Sequence, residues 1–262
     1  MSAAASTGLA PTRPERPQGG AGRPARSARA GWLASIGAMQ GEATRLRAAD
    51  GHEFDAWLFA PDTGSRGGLV MLHEIFGLTG QMQRCAARYA AAGYRVVLPA
   101  MFDRREPGLV LGYDEFEKGG RTAMSIPEEL LLADMQAAID CAAEAGRVAA
   151  LGFCWGGTLA YLAACRLPVA AAVSWYGGGI ARLLGRMQPR VPVQYHFGAE
   201  DRFIPPAVIE QIRAVDPAGE IHVYPGAGHG FGCDDRDGYV AEAAALAEQR
   251  SLDFLARHLQ AD

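Results

Sequence analysis

"ALGFCWGGTL" (150–159) is the stretch on which the reading of this chain turns. An apolar run, "RVAALGF" (147–153), feeds directly into Cys154, which has glycines two residues before it and two after it. G-x-C-x-G has the spacing of a nucleophile elbow, usually G-x-S-x-G, in which a sharp strand-to-helix turn projects a reactive side chain above a sheet. Such a turn strains the backbone, so its neighbours must lack the Cβ atoms that would collide. The alternative is a thiol packed at a tight strand–helix junction. The rest of the chain decides between them by supplying, or failing to supply, a base, an orienting acid and oxyanion donors.

Working outward, the body alternates two kinds of segment. "GGLVMLHE" (67–74), "YRVVLPA" (94–100), "VAAAVSWYG" (169–177), "VPVQYHFG" (191–198) and "EIHVYPG" (220–226) read as strands, several of them apolar throughout, as strands buried on both faces are. "HEFDAWLFAP" (52–61) reads as an exposed edge strand ended by Pro61. Helical patterns cover 79–93, 155–166, 205–215 and 238–259. Another begins at "SIPEELLLADMQ", where Ser125 and Glu128 have capping-box spacing and Pro127 suits a first turn. Residues 101–124 read as a polar loop over the site. The alternation predicts an α/β fold: a mostly parallel central sheet with helices on both faces, and chemistry at the carboxyl ends of the strands. Four predicted strands end at Glu74, Cys154, Asp201 and His229, all ionisable.

Those four residues make a constellation. A helix N-terminus favours the thiolate form of Cys154. His229, in "PGAGHGF", is the candidate base, and Asp201, in "GAEDRFIP", the candidate acid that orients it. The order nucleophile, acid, histidine is that of α/β-hydrolases. The N–H of Trp155 faces the point where an oxyanion would form. Glu74 lies where a carboxylate would repel that oxyanion, so its expected task is to take the thiol proton before substrate arrives. His196 and His222 alternate within strands and read as packing residues. Cys85, Cys141 and Cys165 read as core fillers, and Cys233 as a residue lining the site.

Composition narrows the class. The 262 residues suit one large domain, and the net charge is −4. Residues 1–39 hold five Arg and one Glu, leaving 20 basic and 28 acidic residues in the remainder. An acidic body disfavours a nucleic-acid partner. No apolar run approaches the ~20 residues that span a bilayer. Five cysteines without a CxxC pair, and histidines without metal-ligand spacing, point to reduced thiols in a cytoplasmic setting and to no metal. Residues 1–38, rich in Ala, Pro, Gly and Arg, read as a disordered extension before a domain over 39–262, with Met39 as an alternative start.

"HEIFGL", "GFCWGG", "GAEDRFIP" and "AGHGF" together resemble the dienelactone hydrolase family over roughly residues 45–259. The resemblance implies a Cys154–His229–Asp201 triad, Glu74 as the carboxylate that holds the resting thiol's proton, and the N–H groups of Ile75 and Trp155 as the oxyanion hole. It also implies a small lactone or ester as substrate; no cofactor is expected, and a monomer or small homo-oligomer is. Family substrates carry a carboxylate bound by arginine. Arg104 stands at the matching position, three residues before Pro107, with Arg105 as the fallback. The family's polar residue after the histidine and its second arginine are replaced by Gly230 and Cys233, leaving Arg236 and Arg202 as compensating candidates. Two alternatives stay open: a general carboxylesterase or thioesterase, and a catalytically silent protein that binds a small acid.

Overall fold

The computed structural model describes residue 1 and residues 41–259. The expected disordered extension, beyond residue 1, and the alternative start at Met39 lie outside the described residues. Eight strands form one sheet in the order β1-β2-β4-β3-β5-β6-β7-β8. They are β1 (Glu42–Arg47), β2 (Glu53–Phe59), β3 (Gly68–Leu72), β4 (Arg95–Pro99), β5 (Val148–Phe153), β6 (Ala171–Trp175), β7 (Val193–Gly198) and β8 (Glu220–Tyr224). β2 runs antiparallel to both β1 and β4, and every pairing from β4 onward is parallel. The α/β architecture with a mostly parallel sheet is therefore the one read from the sequence.

β5 sits in the middle because all six of its residues, VAALGF, are buried, which suits a strand covered on both faces. The helices are α1 (Gly80–Ala91), α2 (Phe116–Ser125), α3 (Glu128–Ala142), α4 (Trp155–Arg166), α5 (Pro206–Val215) and α6 (Ala241–Leu259). α3 and α4 pack together against the β3–β6 region, whereas α1 and α6 are joined by an Arg88–Glu248 ion pair of 3.0 Å. Thr79 caps α1, its hydroxyl accepting from the Met82 N–H at 3.3 Å.

Three expectations are corrected. β2 is not an edge strand, because β1, with its mostly exposed EATRLR, covers it. The segment 101–124 is not all loop, because α2 forms within it. That helix also uses up Ser125: its hydroxyl donates back to the Thr122 carbonyl at 2.8 Å, so no capping box forms and α3 starts after Pro127 without a side-chain cap.

The sheet brings the site together. β3, β5, β7 and β8 all end on the same edge, just before Glu74, Cys154, Asp201 and His229.

Candidate active site

Cys154 has φ 54° and ψ −115°, a conformation that non-glycine residues seldom adopt and that costs of order 1–3 kcal/mol. The flanking glycines allow it. A side chain at Gly152 would run into the Gly156 carbonyl, and one at Gly156 into the Leu72 carbonyl of the neighbouring strand. The Cys154 N–H donates to the Trp175 carbonyl at 2.9 Å, pinning the turn to β6. The thiol is thus held at the N-terminus of α4.

His229 reaches it from the loop after β8. Its Nε2 lies 3.1 Å from the Cys154 sulfur and its Nδ1 lies 2.8 Å from Asp201 Oδ2. The other Asp201 oxygen accepts from the Phe203 N–H at 2.8 Å, so both carboxylate oxygens are used. Burial alone would depress the imidazole, but the bonds to Asp201 and to the Cys154 sulfur outweigh it and raise His229 to about 10. A thiol on one ring nitrogen and a carboxylate on the other can pass a proton to the ring and keep the cation stabilised.

The N–H groups of Ile75 and Trp155 have no protein acceptor among the described residues. Trp155 is held by stacking on Phe102, with centroids 5.2 Å apart. The segment before Ile75 is fixed by His73, whose Nδ1 lies 2.5 Å from the Glu74 carbonyl and whose Nε2 accepts from the Met101 N–H at 3.1 Å. That pair of bonds defines a neutral ring protonated on Nδ1. Burial pushes His73 down to about 4, so it is a structural clamp rather than a base. His196 is likewise structural, buried among Gln194, Tyr224 and Ser251.

Glu74 is buried, and its Oε1 lacks a hydrogen-bond partner. Burial raises its pKa, while the Arg236 and His229 charges and the Tyr176 hydroxyl pull the other way. The thiol's bond is to His229, and the Glu74 carboxylate instead faces Arg236, whose Nη1 stands 3.9 Å from Oε1. Tyr176, which strand-end reasoning should have flagged, follows β6 with φ 40°, and its ring meets His229 edge-on at 5.2 Å.

Arg104 is a correction. Its guanidinium is taken up by Asp134, at 2.7 and 2.9 Å, and by Asp50, at 2.6 and 3.2 Å. Asp50 lies in the β1–β2 turn, and β2 is three strand spacings, about 14 Å, from the strand that carries Cys154. Arg104 therefore ties the sheet edge to α3. Arg105 is bonded to the Ser125 carbonyl. A cation that approaches Glu74 is Arg236, packed over the Phe76 and Tyr113 rings at 5.6 and 5.8 Å. Gly230 makes its place, since a Cβ there would sit 2.5 Å from Arg236 Nη1. Cys233 is buried with its sulfur 3.5 Å from the Tyr113 hydroxyl.

Among the described residues no group of three or more His, Cys, Asp or Glu could hold a metal, and no helix is long and apolar enough to cross a membrane.

The profile of the dienelactone hydrolase family matches residues 54–259. Carboxymethylenebutenolidase of Pseudomonas putida is 34% identical over 229 residues, covering 83% of this chain and 97% of that protein. The carboxymethylenebutenolidase of Pseudomonas knackmussii matches to the same extent, 34% over 229 residues, with 83% and 97% covered. A solved structure from Klebsiella pneumoniae subsp. pneumoniae, assigned to the dienelactone hydrolases, superposes with a TM-score of 0.71 at 28% identity, covering 83% of this chain and 99% of that one. With strands β3 to β8, the elbow and the closing helix all inside the matched span, the chain belongs to the dienelactone hydrolase family.

Proposed function

We propose that this protein hydrolyses a small, carboxylate-bearing lactone or ester through a thioester on Cys154. The observation that carries the reading is the line from Asp201 through His229 to the Cys154 sulfur, 2.8 and 3.1 Å, and the Ile75 and Trp155 N–H groups have no protein acceptor among the described residues. With the proton of the Cys154–His229 pair on the ring, the sulfur adds to the carbonyl carbon. The oxyanion accepts from the Ile75 and Trp155 N–H groups, an interaction stronger in the transition state than in the bound substrate. As the C–O bond breaks, His229 returns its proton to the leaving oxygen. Water, deprotonated by His229, then adds to the thioester, and the acid leaves as Cys154 recovers its proton.

Arg236 supplies the substrate carboxylate site in this reading, because it is the arginine that the fold delivers to Glu74. A guanidinium suits a carboxylate by bonding both oxygens at once. Glu74, drawn by Arg236 in the free protein, is released when substrate takes its place on the cation.

The test is hydrolysis of cis- and trans-dienelactone followed by ultraviolet absorbance, with intact-mass detection of an acyl adduct. Turnover by wild type, an adduct confined to Cys154 and loss of both in Cys154→Ala are expected. Binding of the lactone with neither turnover nor adduct would instead identify a silent small-acid binder.

A further inference from the structure

The aromatic pair at the mouth of the site reaches beyond the acyl half of the substrate. This inference rests on the proposed roles of His229 and Cys154. Whatever group departs takes its proton from His229 Nε2, so the leaving group must lie against the walls that flank that ring. Tyr176 is the inner, fully buried wall. The outer wall is Phe203, which meets His229 edge-on with centroids 5.1 Å apart and yet leaves 60% of its surface in solvent.

Phe203 is held in that position. Its N–H is the donor to Asp201 Oδ1 at 2.8 Å, so its backbone cannot withdraw without disturbing the acid. Across from it stands Phe116, the first residue of α2, stacked on it at 5.8 Å with the ring planes 19° apart and itself 39% exposed. α2 is in turn seated on the site, since a side chain at Gly119 would run into the Ile75 carbonyl. Two large rings, contributed by separate elements and stacked on each other, thus present apolar surface beside the proton donor. The charged groups, Arg236 and Glu74, are instead paired with each other against Phe76 and Tyr113.

We infer that Phe203 and Phe116 form a leaving-group subsite for a flat apolar alcohol, so that esters of phenols and naphthols are a substrate class of this protein. An aryl ring entering beside Phe203 gains stacked and edge-to-face contacts of the kind the two side chains already make with each other and with His229. A short alkyl alcohol gains almost none. The two Phe residues are specificity-determining, and the chemistry remains with Cys154 and His229.

Two acetates that share one acyl group isolate the effect: 2-naphthyl acetate and methyl acetate. Phe203→Ala is expected to lower the ratio of their kcat/KM values by about tenfold, chiefly through KM for the naphthyl ester, with Phe203→Tyr restoring it. A second readout needs no turnover. 2-Naphthol should slow alkylation of Cys154 by iodoacetamide in wild type, and slow it far less in Phe203→Ala. Should that variant not fold by circular dichroism, Phe116→Ala, changed on another element, carries the same two expectations. An unchanged ratio, or equal protection by 2-naphthol in wild type and variant, overturns the subsite while leaving the hydrolase reading intact. Turnover of neither acetate by a wild type that hydrolyses dienelactone overturns the subsite alone, whereas no turnover of dienelactone either, with no acyl adduct on Cys154, removes the hydrolase reading and the subsite together.

Discussion

Arg236 lies with its Nη1 3.9 Å from the Glu74 carboxylate, in space that exists because residue 230 has no side chain. The relationship accounts for two departures from the family pattern at once. Where the resemblance leads one to expect an arginine, four residues after His229, the chain has Cys233, buried under Tyr113, and the proposed replacement is Arg236, three residues further along. Arg236→Gln is therefore expected to lower kcat/KM for a carboxylate-bearing lactone relative to a neutral ester. The loss should be about 10- to 100-fold, the worth of one or two bonds to a charged group. Parallel kinetics on the two substrates check it, and an unchanged ratio would remove Arg236 from substrate binding.

Gly230 offers a version of that test that keeps the charge. Its φ of 77° disfavours any L side chain, and a methyl group there meets the guanidinium. Gly230→Ala should displace Arg236 and reproduce part of the selectivity loss of Arg236→Gln. It should also cost about 1 kcal/mol of stability from the strained backbone. Urea denaturation beside the same two-substrate assay separates the two effects.

Arg104 is expected to matter for stability. Its side chain is 9% exposed and that of Asp134 1%, so Arg104→Met leaves a buried carboxylate without its partner. Removing one member of a buried pair costs about 3 kcal/mol or more. A lowered urea midpoint for Arg104→Met, partly regained in Arg104→Met/Asp134→Leu, is the expected pattern. A variant as stable as wild type would overturn the structural role.

The contrast between Arg104 and Cys154 shows which features the sequence made legible. Cys154, Asp201, His229 and Glu74 could be placed because a parallel sheet gathers its strand ends, and each residue is defined by the strand it follows. Arg104 also follows a strand, but its partners come from the β1–β2 turn and from α3, and no local pattern announces that these two converge on it. α2 was hidden for a different reason. FEKGGRTAMS carries two adjacent glycines, poor helix formers, and buries only Gly119 and Ala123, so no stripe of large apolar residues announces a helix that seats Gly119 against Ile75. Missing α2 then made Ser125 look like the start of the next helix when it is the end of that one. Arg236 was within reach of the sequence as a compensating cation. Only the position of Gly230 beneath it separates it from Arg202.

The histidines set the pH range of stability, and the two sides have separate causes. His229 is raised from 6.5 to about 10, so the stability that its bonds to Asp201 and Cys154 contribute is fully present below pH 6.5 and is lost as pH rises toward 10. His73 is depressed by burial from 6.5 to about 4, so the folded state resists the proton that the unfolded chain accepts. Its effect is absent above pH 6.5 and grows as pH falls toward 4, reaching about 3 kcal/mol there. His196, also pushed down by burial, adds in the same direction. Wild-type stability should therefore peak near pH 6.5 and fall on both sides. Urea unfolding at pH 4.5, 6.5 and 9 tests each limb with its own variant. His229→Gln should flatten the alkaline limb and leave the acid one, and His73→Asn should soften the acid limb and leave the alkaline one. An alkaline limb that survives His229→Gln would mean that the imidazole does not hold its proton between the thiol and Asp201.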